Sequence, residues 1–290
     1  MKIDFKTVLV LLFLGFVWGS AFILMKRGLE SFNALQVASL RLVFAGSVAV
    51  FFFAKYYKSL VSKDWLFLTI SGTIGNLIPA YLFASAGAEI PSSLSGAFNA
   101  LTPFFALLAG VLLFSQLFKI RQVIGISIGL VGALALILSK SKTGIAFQIA
   151  YLWPCAKVTL AALLYGINVN IIKSKLNHLS PLVNSMVPLT IISVPALIIG
   201  LMNNTHHQVM EAGTGYALIH ILILGVFGSA ISLIVFNRLV QRTTALFAAS
   251  VTYLIPVFAY MWGIIDGEPI GVFQIGGMML ILGGITLTRK

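Results

Sequence analysis

The chain has 290 residues, of which 59% are hydrophobic and only 9% charged, with a mean hydropathy of +1.04. A soluble domain carries about 25% charged residues, so a surface this poor in charge excludes water as the main solvent and points to lipid. The formal net charge of +12, from 19 Lys and Arg against 7 Asp and Glu, would suggest nucleic acid in a soluble protein; here the basic residues sit in short loops between apolar runs, a pattern of membrane topology that argues against a nucleic-acid partner.

A spanning helix needs about 20 mostly apolar residues. In chain order the candidate spans are 7–25, 34–54, 65–87, 93–114, 121–138, 151–172, 181–202, 216–236, 244–265 and 270–287. The start, Met1-Lys2-Ile3-Asp4-Phe5-Lys6, resembles the head of a signal peptide. The apolar run from Thr7 to Met25 exceeds the ~7–15 residues of such a peptide, and it continues past Gly19-Ser20-Ala21, so an uncleaved first helix is expected. The third and fourth spans meet near Glu89-Ile90-Pro91, the ninth and tenth at Asp266-Gly267-Glu268-Pro269. The stretches near 139–150 and 203–215 are polar connections, too short for a soluble domain.

With the N-terminus placed in the cytoplasm, thirteen of the 19 basic residues fall on that side. Only Lys26, Arg27, Lys140 and Lys142 fall outside, while Arg41 and Lys157 lie within spans. Both termini are therefore expected inside, in a plasma membrane, or the inner membrane of a bacterium.

The halves show weak self-similarity. A shift of 147 places Trp18-Gly19 on Tyr165-Gly166; a shift of 153 places Thr102-Pro103 on Ile255-Pro256, Gly75 on Gly228 and Gly110 on Gly263; a shift of 152 places Gln122 on Gln274 and Gly125 on Gly277. The common order of these matches carries more than any one of them. The expected fold is an all-α polytopic membrane protein: ten transmembrane helices as two inverted five-helix repeats, 1–145 and 146–290. An odd number of spans per repeat forces the second copy to enter from the other side, an arrangement characteristic of secondary transporters.

At this point the residues resemble a known group. They are Trp18-Gly19-Ser20-Ala21-Phe22, Arg41-Leu42-Val43-Phe44-Ala45, Ala100-Leu101-Thr102-Pro103-Phe104-Phe105, the glycines 125, 129 and 132, Leu254-Ile255-Pro256-Val257, and Gly267-Glu268-Pro269. Together they resemble the EamA-type branch of the drug/metabolite transporter superfamily. The resemblance implies ten helices, a central cavity walled by helices one to four and six to nine, and export of small metabolites, often amino acids. Two features depart from the pattern. Phe114-Ser115 stands where the family often has Gly-Glu, and Lys157 matches no family position, which leaves the substrate more open than the fold.

Arg41 is a charge well inside a span, where it costs roughly 2.5–3.5 kcal/mol on insertion scales. It is either a cavity cation for a carboxylate or phosphate, or an anchor bonded to backbone carbonyls. Lys157 either snorkels outward or offers a point charge to an anionic substrate group. The polar and aromatic residues Trp18, Asn76, Tyr81, Asn99, Tyr165, Asn168 and Tyr253 complete the candidate substrate-binding set. Helix–helix hydrogen bonds are the bland alternative for each asparagine. Pro103 and Pro256, which correspond across the repeat, are candidate gating hinges; static bending is the alternative. The glycines of the fifth and tenth spans are assigned to packing between halves or to a dimer contact.

All seven acidic residues lie in loops or at span ends, so no embedded carboxylate is available as a proton carrier. The small four-helix exporters of the same superfamily rely on a first-helix glutamate, absent here. The expected function is therefore export of amino acids or related zwitterionic or anionic compounds by alternating access, as a facilitator or exchanger. The alternatives are a membrane-embedded enzyme, for which no catalytic constellation is visible, and a non-transporting receptor or scaffold. No cofactor or metal is expected: the lone Cys155 is assigned to packing and His206-His207 to a solvated loop. The expected partners are a small-molecule substrate and the lipid bilayer, with the protein a monomer or homodimer.

Overall fold

The computed structural model describes residues 5–90, 92–138, 149–265 and 272–288. Among them the chain is helical, with no strand. In order, the helices are α1 (Phe5–Leu29), α2 (Ala34–Tyr56), α3 (Ser62–Gly72), α4 (Ile78–Gly87), α5 (Ser92–Asn99), α6 (Thr102–Phe114), α7 (Ile120–Leu138), α8 (Leu152–Lys175), α9 (Pro181–Met202), α10 (Thr205–Met210), α11 (Gly215–Gly225), α12 (Ser232–Arg242), α13 (Ala245–Ala249), α14 (Leu254–Ile265) and α15 (Val272–Leu287). A π-helical segment, Thr73–Leu77, joins α3 to α4, and a second, Val226–Ile231, joins α11 to α12.

Among the described residues six continuous helical runs are long and apolar enough to cross a membrane: Phe5–Leu29, Ala34–Ser59, Ser62–Gly87, Ile149–Lys175, Pro181–Met202 and Gly215–Arg242. The fourth, fifth, ninth and tenth expected spans appear as shorter apolar helices. Two of these are short because the chain breaks inside them. A turn at 100–101 separates α5 from α6, and the 3₁₀ turn Ser250–Tyr253 separates α13 from α14. The loop expected at 203–215 contains the short helix α10, which carries His206 and His207. The junction 266–269, with Glu268, and the basic residues 2, 140, 142, 289 and 290 lie outside the described residues.

Local sequence explains the ends. Asn33 caps α2: its side chain accepts from Gln36 N–H at 3.0 Å, and Gln36 accepts in return from Asn33 N–H at 2.9 Å. Ser180 caps α9 ahead of Pro181, and Thr244 caps α13. Ser115, at φ 51°, ends α6 in the left-handed conformation.

The packing is paired. α2 lies along α9 and α7 along α15; α1 packs on α11 and α14, while α8 packs on α4 and α6. Glycines set the closest approaches. A Cβ on Gly284 would meet the backbone of Gly125 and Gly129 within 2.7 Å, and one on Gly132 would meet Gly277 and Ile281 backbone at 2.8 Å. The small residues of α7 are thus used within the chain, against α15. Tyr253 belongs to the same contact: it is fully buried, its ring lies against Gly129, and its hydroxyl donates to the Ile126 carbonyl at 2.9 Å.

Candidate functional site

The two π-helical segments arise differently. Ile78 N–H bonds Thr73, five residues back. Pro79 has no N–H to give to Gly75, so the widened turn is where that donor is missing. In the second half Ser232 occupies the equivalent place. Its N–H bonds Phe227 instead of Gly228. The Gly228 carbonyl is satisfied by side chains, the Ser232 hydroxyl at 2.7 Å and Trp18 Nε1 at 3.2 Å. Trp18 also donates to Ser232 Oγ at 3.1 Å.

Between these segments lies a cavity of about 130 Å³, room for roughly four waters. Its walls come from equivalent positions of the two halves: Trp18 and Tyr165, Gly75 and Gly228, Asn76 and Ser229, Phe83 and Phe236, Asn99 and Thr252. Phe83 stacks on Tyr165 at 5.9 Å, and Phe236 lies 5.2 Å from Trp18. The helix breaks at 100–101 and 250–253 border the same space. Pro103 stands in the first turn of α6 and Pro256 in the first turn of α14, so each begins a helix after a break and does not kink a continuous one.

Of the residues singled out in the sequence, Trp18, Arg41, Asn76, Asn99, Tyr165 and Asn168 meet at this cavity. Arg41 is the sole charged side chain among the described residues that line it. Its Nε donates to Ser229 Oγ at 2.9 Å, which leaves the two terminal nitrogens without a hydrogen-bond partner among the described residues.

Three residues stand elsewhere. Lys157 is near one rim of the bundle, where its ammonium donates to Glu89 at 2.6 Å and to Ser85 Oγ at 2.7 Å. Tyr81 shares a 2.8 Å hydrogen bond with Ser39, tying α4 to α2. Tyr253 is the α7 packing residue already described.

The structure also brings in Ser229, Asn184, Asn237 and Thr252, which the sequence reading passed over. Asn184 and Asn237 lie near span ends, on α9 and α12, where a polar residue draws no notice. The amide oxygens of Asn168, Asn170, Asn184 and Asn237 are enclosed without a hydrogen-bond partner among the described residues, each at a cost of about 1–3 kcal/mol. The Asn170 amide nitrogen donates to the Ala106 and Gly166 carbonyls at 2.8 Å and holds α8 to α6. Among the described residues no three His, Cys, Asp or Glu side chains stand together as a metal site.

The model of the EamA-like transporter family matches residues 5–138 and again 152–289. The chain belongs to this family. As an EamA-like protein it carries two copies of the family unit and is a multi-pass membrane protein. A curated protein of Salmonella typhimurium named "Probable amino-acid metabolite efflux pump" is 28% identical over 150 residues, 49% of this chain and 49% of that one. A protein of the same name from Escherichia coli K12 is 30% identical over 121 residues, 42% of this chain and 39% of that one. The match thus spans about half the length of these curated relatives, or less. A solved structure described as "Crystal structure of protein" superposes with a TM-score of 0.71 at 16% identity, covering 96% of this chain and 94% of that one, a likeness of fold alone.

Proposed function

We propose that this EamA-like protein exports small amino-acid-like metabolites, zwitterionic or anionic, by alternating access at the cavity between its two repeats. The observation that carries this reading is Arg41: a guanidinium with free donors, the one charge on the described wall of a central cavity. Burying such a charge is worthwhile where an anionic group meets it. The names of the two curated relatives agree with an amino-acid metabolite as cargo.

In this reading ten spans form two inverted repeats, residues 1–145 and 146–290, with both termini cytoplasmic. The paired π-helical segments and paired breaks support it, because discontinuous helices at a repeat interface supply polar backbone to a substrate site. The cavity wall offers no carboxylate among the described residues, which favours a facilitator or exchanger over a carboxylate-gated proton antiporter.

The test is flux of labelled amino acids into proteoliposomes, with and without a pH gradient. Saturable flux that is lost in Arg41→Gln and insensitive to the gradient is expected. Absence of flux for every amino acid, or an absolute need for a proton gradient, would refute the corresponding half of the proposal. Cysteines placed at 208 and 290 should react with impermeant thiol reagents from opposite sides; labelling from one side would break the inverted arrangement.

A further inference from the structure

None of the four described acidic residues lines the cavity, and each is engaged elsewhere. Glu30 pairs with Arg27 at 2.7 Å and Glu89 with Lys157 at 2.6 Å. Asp64, buried at the start of α3, accepts from Val61 N–H at 3.2 Å and is bonded to His178 Nε2 at 2.8 Å. Glu211, which follows α10, accepts from the Gln208 amide at 2.8 Å. The other three flank helices whose cavity residues lie far from that end. Asp4 precedes α1, whose first cavity residue, Trp18, stands roughly 20 Å of helix beyond Phe5. Asp266 and Glu268 follow α14, which runs roughly 15 Å past Ile255, its last cavity residue.

Neutral oxygens that could take an ammonium in place of a carboxylate are mostly spoken for. The Gly228 carbonyl accepts from Ser232 and Trp18, and the Asn99 carbonyl accepts from the Thr102 hydroxyl at 2.7 Å. The Asn184 and Asn237 amides are oriented by their nitrogens, which donate to the Leu176 carbonyl at 2.9 Å and to Ser185 Oγ at 2.8 Å. Their oxygens are enclosed, and so closed to a ligand in the cavity. Arg41 is the reverse case. Its terminal nitrogens are neither hydrogen-bonded nor enclosed among the described residues, and a guanidinium offers donors only. Asn76 and Tyr165 can donate as well as accept, and they bring no charge.

This imbalance decides which ligand the site takes at least cost. A carboxylate on Arg41 brings the cavity from one uncompensated positive charge to none. A zwitterion leaves that net charge in place and adds an ammonium, which gives up its water with no counter-charge to replace it. The body of the ligand meets rings. Trp18, Phe22, Phe83, Tyr165 and Phe236 line the space; Trp18 pairs with Phe236, Phe83 stacks on Tyr165, and Phe22 meets Phe83 edge-on at 6.3 Å. Such faces suit a flat apolar group. A cavity of about 130 Å³ is close to the ~150 Å³ that holds one benzene ring.

We propose that the cavity selects a small apolar monocarboxylate without an ammonium group, the skeleton of an amino acid with its amino group replaced by hydrogen or by an oxo group. The carboxylate sits on Arg41 and the apolar body among the rings. This rests on the reading of the protein as an exporter of amino-acid-like metabolites and names the class within it; amino acids themselves are weaker ligands of the same site.

Binding to the full chain purified in detergent at neutral pH tests this with two matched pairs, 3-phenylpropanoate against L-phenylalanine and 4-methylpentanoate against L-leucine. Within each pair the carboxylate should bind at least roughly tenfold more tightly, and 2-phenylethylamine should not compete with it. Arg41→Gln, checked for folding by its melting temperature, should bring the carboxylate down to the level of the amino acid. Equal binding within either pair, or tighter binding of the amino acid, overturns the proposal and leaves the exporter reading standing. So does a folded Arg41→Gln protein that keeps the preference, or 2-phenylethylamine that competes as well as L-phenylalanine. The wild-type comparison decides alone where Arg41→Gln does not fold. Failure of all four acids to bind removes both readings.

Discussion

The two halves build the same wall with different chemistry. Each contributes an aromatic residue from its first helix, a π-helical segment opening on a glycine and a helix break ahead of a proline. Yet Arg41 in α2 answers to Pro188 in α9, and Asn184 in α9 answers to Val37 in α2. Backbone shape is what the halves share; the polar groups that would meet a ligand are what they do not. In the proposed reading, a shared backbone is what would let the two halves exchange conformations. Unequal side chains leave the cavity with its one described charge, Arg41, on the side of the first half.

The largest expected effect sits on the unequal part. Arg41→Gln should lower flux by roughly 30–100-fold, the loss of a charge-assisted hydrogen bond, with little change in folded yield. Unchanged flux would make Arg41 a scaffold residue bonded to Ser229 and erase the functional side of the comparison.

Next comes the paired glycines, where a shared feature hides different surroundings. A Cβ on Gly75 would collide with the Asn168 amide, while one on Gly228 would meet only the flexible end of Leu224, at 3.1 Å. Gly75→Ala should therefore destabilise the protein by about 1–3 kcal/mol and reduce flux by displacing Asn168. Gly228→Ala should stay within about 1 kcal/mol. Thermal melting of the two variants in detergent checks this; equal melting temperatures would mean that the halves are more alike than their side chains suggest.

A smaller effect belongs to Ser232, whose hydroxyl satisfies Gly228 in the place that proline takes in the first half. Ser232→Ala leaves Trp18 as the remaining side-chain donor to that carbonyl and should cost about 0.5–1.5 kcal/mol, read from the same melts. The smallest effect is at the rim. Glu89 is 45% exposed, and a pair with one solvated partner contributes about 0–1 kcal/mol. Lys157→Met should thus shift stability little and flux by less than about twofold. A tenfold loss of flux would bring Lys157 back into the substrate path.

Much of this protein was readable in its composition and periodicity. Apolar runs of about 20 residues, the order of Trp18-Gly19 and Thr102-Pro103, and the weak echo of each in the second half led to a helical membrane protein of two repeats, and the family match agrees. Six of the nine candidate binding residues line the cavity, because a polar group deep in an apolar run has few places to go but a cavity or a partner helix. Which of those two fates each residue meets is a matter of which neighbour the packed helices bring to it, and that does not follow from its own segment. Lys157 finds Glu89, 68 positions away; Tyr253 finds the backbone of α7, 127 positions away; Asn237 finds Ser185 with its donor, 52 positions away. The sequence by itself determined that buried polar groups exist and roughly how deep they lie, since depth is counted along one helix. Only the tertiary structure decided which of them remain unpaired, since a hydrogen bond between helices depends on distances across the bundle.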